Sequence, residues 1–517
     1  MRAKLSSLNG QTFDVVVIGG GISGVSSAQS LSGAGYKVLL VEKQDFASAA
    51  SSRSGHMVHC GLRYLAPSKS LWEFVWHPSR LRTALHSGRR AVRTRGQFVT
   101  ATPERMRPLD IAYPIYDDSP FAGWQFDLGA RLLHWFDSYN VSLEYKRMTP
   151  AQAKSNPLVA GLRDQHRLKN IVMFRDYRIE WPERIAMDEV LNAEELGAVI
   201  RNYTKATGFR RRPEGGWSID LDDTLEPGER ATVAGGVLLN MAGVWVDDVN
   251  RSGAAANASR KIIVVKGSHI VVQLPPEFKG HGIYGFNRDN EQIFCLPWKG
   301  DTHYIGPTET IYEGDLEDVY PTEEDIAWLI DEINHMVPKL AIKRSDVMFS
   351  WAGARPITFD PHRAKGKRLP FGLIHDMAEE GIPDMFSLTW AAIMMHREVA
   401  GDVVNAVGRR LKPTGPARSV SYAARQFPDN TNSPSLVDTD RSPTIADLRY
   451  SAAHEHPQHL VDLLFRRTGI GWRTNLPRDA VERAAKAVAD ELGWDEERQA
   501  GEVEAYRAHV RRYHLQE

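Results

Sequence analysis

Apolar residues along this chain fall into short runs, and the order of the runs is informative. Val15, Val16, Val17 and Ile18 follow one another without a polar break, as a strand buried on both faces requires. Glycines come next, then small and apolar residues at helical spacing to Gly33. A second run, Val38 to Val41, ends on Glu42. The pattern predicts strand, glycine turn, helix, strand, acid. Val237 to Leu239 predicts another short buried strand, followed at once by Asn240, Met241, Ala242 and Gly243. Strands are also expected near 206–212 and 216–221, with a hairpin turn over Pro213-Glu214-Gly215-Gly216. Runs at 262–274 and 293–305 make a β-rich region.

Helical spacing appears at 186–202, 321–337, 480–492 and 495–512, and residues 121–139 read as a largely buried helix. The segment Leu71 to Arg95 is helical and basic. It carries Trp72, Phe74, Val75, Trp76, Leu81 and Leu85 among Arg80, Arg82, Arg89, Arg90, Arg93 and Arg95. The favoured reading is a helix that covers the core and turns a basic face to solvent. The competing reading is a surface that meets anionic lipid. From 409 to 443 Pro, Ser, Asn and Thr become frequent, as in NTNSPS at 430–435, so this stretch is expected to be a linker along the surface. Residues 444–517 are charged and helical in pattern.

Composition narrows the classes. The chain has 517 residues, 42% hydrophobic and 25% charged, with a net charge of −1. That length allows two or three domains. The balanced charge gives no general attraction to nucleic acid. Two cysteines, Cys60 and Cys295, are too few for a disulfide scaffold or a multi-cysteine metal site and suit a reducing cytoplasm. The first strand starts near Phe13, which leaves no room for a signal peptide, and no apolar run is long enough to span a membrane. No His/Cys/Asp cluster has metal-ligand spacing, so no metal is expected.

The opening unit carries candidate chemistry. Gly19, Gly21 and Gly24 match G-x-G-x-x-G. The first permits a tight turn, the second close approach of a pyrophosphate, the third close packing of helix on strand. The helix N-terminus favours phosphate. Glu42 stands where an acid accepts hydrogen bonds from a ribose. This predicts a dinucleotide site; the alternative is a glycine-rich turn in another α/β fold. The unit does not separate FAD from NAD.

Further segments add a resemblance. SSRSGHMVHCGLRYL at 51–65, NMAGVWVDDV at 240–249, KGSHIVV at 266–272, LPWKGDTHYIGPTE at 296–309 and WAGARPI at 351–357 occur in order, followed by LLFRRTGIG at 463–471 and ELGWDEERQAGEVEAYRAHV at 491–510. Together they resemble the FAD-dependent glycerol-3-phosphate dehydrogenases, within the glycine oxidase/D-amino-acid oxidase-like flavoproteins. The resemblance covers nearly the whole chain. It implies an α/β fold: a Rossmann-like, GR2-type FAD-binding domain, an inserted mixed or antiparallel β-sheet substrate domain, and an all-α C-terminal cap. The expected bounds are 1–408 for the first two, with the substrate part near 100–200 and 260–350, then the linker and the cap at 444–517.

The resemblance also implies roles. FAD is the expected cofactor, held by Gly19, Gly21, Gly24, Glu42, Ser51, Ser52, His59, Gly61, Leu62, Ala242, Gly243, Trp245, Ala391 and Ala392. The last two are expected to open a helix whose N–H groups face the flavin. Arg63 and Arg355 suit an anionic substrate, Tyr64 a hydrogen bond to it, and His269 the role of base. Cys60 replaces a family glycine; it is read as a small filler rather than a flavin attachment point.

One segment departs from the family. Where the family has G-G-K-x-T-T, this chain has Trp390-Ala391-Ala392-Ile393-Met394-Met395, so the lysine becomes Ala392 and both threonines become methionine. Lys266, His269 and His396 are candidates to replace the lost charge. The expected reaction is oxidation of a secondary alcohol of glycerol 3-phosphate or a tetritol phosphate, with electrons passed to a quinone or another acceptor. The alternatives are an oxidase of hydroxy or amino acids and an inactive flavin-binding protein. A homodimer and peripheral attachment to the inner face of the cell membrane stand as further expectations.

Overall fold

Two sheets organise the chain. The computed structural model describes residues 4–65, 76–252, 257–361, 372–428, 433–437, 443–473 and 476–515. In the first sheet the order is Leu373–Asp376, Met385–Thr389, Arg230–Asn240, Thr12–Ile18, Val38–Val41, Val199–Arg201. Along that order neighbours run parallel except at the Leu373–Asp376 edge, and an antiparallel hairpin, Thr204–Arg211 with Trp217–Asp223, pairs with Arg230–Asn240 from the side. Val15 and Val17 pack into one core, Val16 and Ile18 into another. Both faces of that strand are covered, which explains its unbroken apolar run. The helix Ile22–Gly33 crosses between the first two strands, and Pro182–Glu195 and His396–Gly408 pack beside it.

The second sheet contains Ile262–Gln273, Thr302–Gly306, Gln292–Pro297, Gly282–Phe286, Met106–Tyr116 and Leu168–Ile179 in that order, with Val347–Thr358 on the other side of Ile262–Gln273. Side chains alternate between faces along each strand. Ile270, Ile283, Ile293, Cys295 and Ile305 pack on the helix Glu323–Met336. His269, Tyr284, Phe294, Tyr304 and Trp351 occupy the opposite face. That face looks toward the first sheet, and the cleft lies between the two.

The C-terminal region is helical, with Ile445–His454, Val481–Ala487 and Glu496–Val510 as its main α-helices. It is tied to the first sheet by buried charge. Arg467 donates to both oxygens of Asp45 at 2.7 Å each, and Arg466 and Asn202 join them. Asp45 and Arg467 are fully or almost fully buried.

Several expectations change. The helix Gly123–Phe136 is not largely buried: Trp124, Leu128 and Trp135 are 55%, 48% and 79% exposed. The basic helix runs Pro78–Ala101, and residues 71–75 of the expected segment lie outside the described residues. Its Arg95 is buried, donating to the carbonyls of Val141 and Ser142 at 2.6 and 2.7 Å. The helix expected over 186–202 spans Pro182–Glu195 and packs on Ile22–Gly33, and Val199–Arg201 is a strand paired with Val38–Val41. The expected helix over 480–492 is divided into Val481–Ala487 and Ala489–Leu492. Between 411 and 428 the chain runs without regular structure beside Gly33 and Gly35; residues 429–432 and 438–442 lie outside the described residues.

Candidate active site

The glycine turn builds one end of the cleft. Gly19 has φ +104°, and a Cβ there would lie 2.5 Å from the Met241 carbonyl oxygen. A Cβ on Gly24 would lie 1.9 Å from the Gly19 carbonyl oxygen, so helix and turn meet only as glycine. Gly21 caps the helix, and the Ser51 hydroxyl accepts a hydrogen bond from the Ile22 N–H at 2.9 Å. Glu42 accepts from the N–H groups of Gly20 and Gln44 at 2.7 and 2.9 Å. It braces the turn from behind, and burial raises its carboxyl above the usual range.

The cleft has a cavity volume of about 270 Å³ and runs from Gly21 and Ser51 to the second sheet. His59, Arg63, Tyr64, Gly243, His269, Arg355, Ala391 and Ala392 all line it. Thus both candidate anion-binding arginines, the candidate base and the candidate tyrosine meet at one cavity, although they come from a helical turn and two strands.

The arginines are held. Arg355 donates to Glu309 at 3.1 Å and to the Thr308 carbonyl at 3.2 Å, and its Nε is buried with no partner among the described residues. Arg63 donates to His59 Nε2 at 3.2 Å, and His59 Nδ1 faces Asp176 at 3.4 Å. Two glycines make room for these groups. A Cβ on Gly267 would stand 2.8 Å from Arg355 Nη2, and one on Gly306 would stand 2.4 Å from His269 Cδ2.

His269 stacks on Trp351, with centroids 4.8 Å apart and planes 12° from parallel. Burial, helped by Arg355 and His56, lowers its pKa far below the ordinary imidazole range. The ring is therefore neutral and able to accept a proton. Its Nδ1 is shut in the protein without a partner among the described residues, which leaves Nε2 toward the cleft.

Other candidates lie elsewhere. Ser52 is buried and bonds to the carbonyls of Ser48 and Ala49. Gly61 and Leu62 pack against the helices Pro78–Ala101 and Gly123–Phe136. Ala242 backs the Gly19 turn, and Trp245 lies under Lys43 Nζ, 3.6 Å from its ring centre. None of these lines the cleft. Ala391 and Ala392 line it but precede the helical turn, which begins at Ile393 and becomes an α-helix at His396. Among the proposed replacements for the missing lysine, Lys266 pairs with Asp325 at 2.6 Å, and His396 bonds to Glu189 at 2.7 Å and to the Ile393 carbonyl. Neither reaches the cleft. Cys60 is buried, and burial with Asp176 nearby raises its thiol pKa, which makes it inert.

The sequence reading missed Arg53, His56, Tyr284, Gln292 and Glu309, which also line the cleft. The alternation of Tyr284 and Phe286, and of Gln292 and Phe294, was the available signal. It places these side chains on one face, but only strand pairing shows which face that is.

Residues 14–382 match the FAD dependent oxidoreductase (DAO) family, well over half of the chain. The chain belongs to this family. Residues 417–499 match the C-terminal domain of alpha-glycerophosphate oxidase. A glycerol-3-phosphate dehydrogenase of Synechocystis sp. is 31% identical over 415 residues, 78% of this chain and 71% of that protein. A D-erythritol 1-phosphate dehydrogenase of Brucella abortus is 32% identical over 391 residues, 75% of this chain and 72% of that protein. The structure of the glycerol-3-phosphate dehydrogenase from Bacillus halodurans complexed with FAD superposes with a TM-score of 0.71 at 21% identity, covering 98% of this chain and 96% of that one. That likeness shows the fold, which is the one expected from the sequence. This oxidoreductase takes FAD as its cofactor, and its residues fit that group. The glycine turn leaves a helix N-terminus open to the cleft for the diphosphate, and the small residues Gly243, Ala391 and Ala392 border the space beyond it.

Proposed function

We propose that this FAD-dependent oxidoreductase oxidises a secondary alcohol of a small phosphorylated polyol to the ketone and passes the electrons to a quinone or another acceptor. One observation carries the reading: two fixed guanidinium groups and a neutral imidazole open onto the same cleft as the dinucleotide turn. Bound FAD supplies the acceptor for the hydride that leaves the carbinol carbon. Arg355 and Arg63 hold the substrate's phosphate by charge-assisted hydrogen bonds. His269 accepts the hydroxyl proton at Nε2: burial keeps the ring neutral at neutral pH, and the negative charge that the substrate phosphate brings beside Arg355 favours its protonated form. Ala392 and Met394 bring no charge to their edge of the cleft, so the phosphate is placed at Arg63 and Arg355. The names of the relatives support glycerol 3-phosphate or a tetritol phosphate as substrate.

The test is anaerobic reduction of the purified yellow protein. Bleaching by a polyol phosphate supports the proposal. Bleaching by a 2-hydroxy or amino acid instead, with peroxide formed in air, replaces it with an oxidase. A flavin that none of these reduces makes the protein a binding protein only.

We also propose that the acceptor is met at a membrane surface. No helix among the described residues is long and apolar enough to cross a membrane. Trp124, Leu128, Arg131 and Trp135 form one exposed stripe on the helix Gly123–Phe136, and Trp76 and Leu81 are exposed at the start of the neighbouring basic helix. Tryptophan beside arginine suits the interface of an anionic bilayer. The protein should co-sediment with anionic vesicles, and Trp124→Ala with Trp135→Ala should abolish this; equal sedimentation of parent and variant would exclude the stripe.

A further inference from the structure

The sheet side of the cleft holds a polar group that the reaction above does not use. Tyr284 is 7% exposed, lines the cleft, and its hydroxyl has no hydrogen-bond partner among the described residues. A buried hydroxyl without a partner is costly to the fold, so a group at this position points to a ligand that completes it. The ring is fixed. It pairs across the strands with Phe294, edge to face at 5.5 Å, and stacks on Phe174 at 6.3 Å. Gln292, two residues before Phe294 and opposite Phe286, projects from the same face and also lines the cleft.

We propose that Tyr284 and Gln292 determine specificity by hydrogen-bonding an extra hydroxyl of a polyol phosphate longer than three carbons. This rests on the polyol-phosphate reading and names the substrate class within it. The chemistry of the wall supports the assignment. Tyr284 is a neutral donor, since burial holds its hydroxyl protonated well above the ordinary range. Gln292 offers both a donor and an acceptor. Neither carries charge, so they suit hydroxyl groups, whereas Arg63 and Arg355 suit the phosphate. The position matters too. Phe294, between Tyr284 and Gln292, lies 5.9 Å from His269 between ring centres, so the wall begins beside the base. Glycerol 3-phosphate anchored on the arginines and oxidised at C2 keeps one further hydroxyl, on C1, enough for only one of the two wall groups. A tetritol phosphate keeps two, one for Tyr284 and one for Gln292. A site built to hydrogen-bond a hydroxyl rejects the analogue that lacks it, because the protein's own polar group is then left unpaired.

The experiment compares kcat/KM of the FAD-loaded enzyme for a tetritol phosphate and for glycerol 3-phosphate, in the parent, Tyr284→Phe and Gln292→Leu. Tyr284→Phe removes one oxygen, and retention of flavin absorbance reports that the variant is folded. The parent should prefer the tetritol phosphate. Each variant should reduce that preference at least tenfold, with the change carried mainly by KM. If the ratio stays within twofold of the parent in both variants, the hydroxyl bonds only water and this inference is wrong while the proposed reaction stands. If neither polyol phosphate reduces the parent's flavin, both readings fall.

Discussion

His269 shows how surroundings convert an ordinary side chain into a candidate base. Stacking on Trp351 fixes its ring, and burial near Arg355 keeps it neutral. A base whose pKa is lowered stays deprotonated as pH falls, so kcat/KM should show no loss from this histidine between pH 8 and pH 6. His269→Asn should lower kcat by about 10²–10⁴-fold with FAD retained, as read by stopped-flow flavin reduction; an unchanged rate would remove His269 from the mechanism. Arg355 acts differently. It is a charged donor already aligned by Glu309 and the Thr308 carbonyl. Arg355→Ala should raise KM for the phosphorylated substrate by roughly 10–100-fold, the value of a charge-assisted hydrogen bond, with much less effect on flavin content.

At the scale of elements, the first crossover depends on one contact. The helix Ile22–Gly33 sits against the strand-end turn because Gly24 has no side chain to strike the Gly19 carbonyl. Gly24→Ala should yield protein with less bound FAD and a lower Tm, measured by the flavin-to-protein absorbance ratio and by thermal unfolding; full flavin content would show that the turn absorbs the shift. The helices Pro78–Ala101 and Gly123–Phe136 teach the opposite lesson. The first carries six arginines and one aromatic residue, Phe98, and the second four aromatic residues and two charges; periodicity did not reveal which of these face inward. Leu133 and Phe98 are buried while Trp135 is the most exposed large apolar side chain described.

For the molecule as a whole, buried ionisable groups dominate the response to pH and to mutation. His56, His303 and His514 are almost fully buried, with pKa values lowered to about 3, about 4 and about 3. They remain neutral in the folded state while the unfolded chain takes up protons below about pH 6.5. The unfolded state therefore binds more protons, and stability falls as pH drops from about 6.5 toward 4, by on the order of 1 kcal/mol per histidine per pH unit. Tm should decline steeply between pH 7 and pH 5; a flat profile would mean that these histidines open to solvent before unfolding. The C-terminal helices depend on Asp45. Asp45→Ala leaves Arg467 buried without its carboxylate partner and Arg466 with Asp462 alone, which should cost about 3–5 kcal/mol, measurable by denaturant unfolding.

The first βαβ unit, the dinucleotide site and the family were legible in the chain because each rests on local rules: glycines where a turn needs them, apolar runs where a strand is covered on both faces, motifs in a fixed order. Arg63, Arg355 and His269 were singled out through the same motifs, and the fold brings all three to the cleft. What lay beyond reach was long-range. Lys266 and His396 looked like free cations until Asp325 and Glu189 were found beside them. Tyr284 and Gln292 looked like ordinary strand residues until pairing turned their face to the cleft. Charge neutralisation and the direction of a sheet face are decided by residues far apart in the chain, so only the folded chain could assign them.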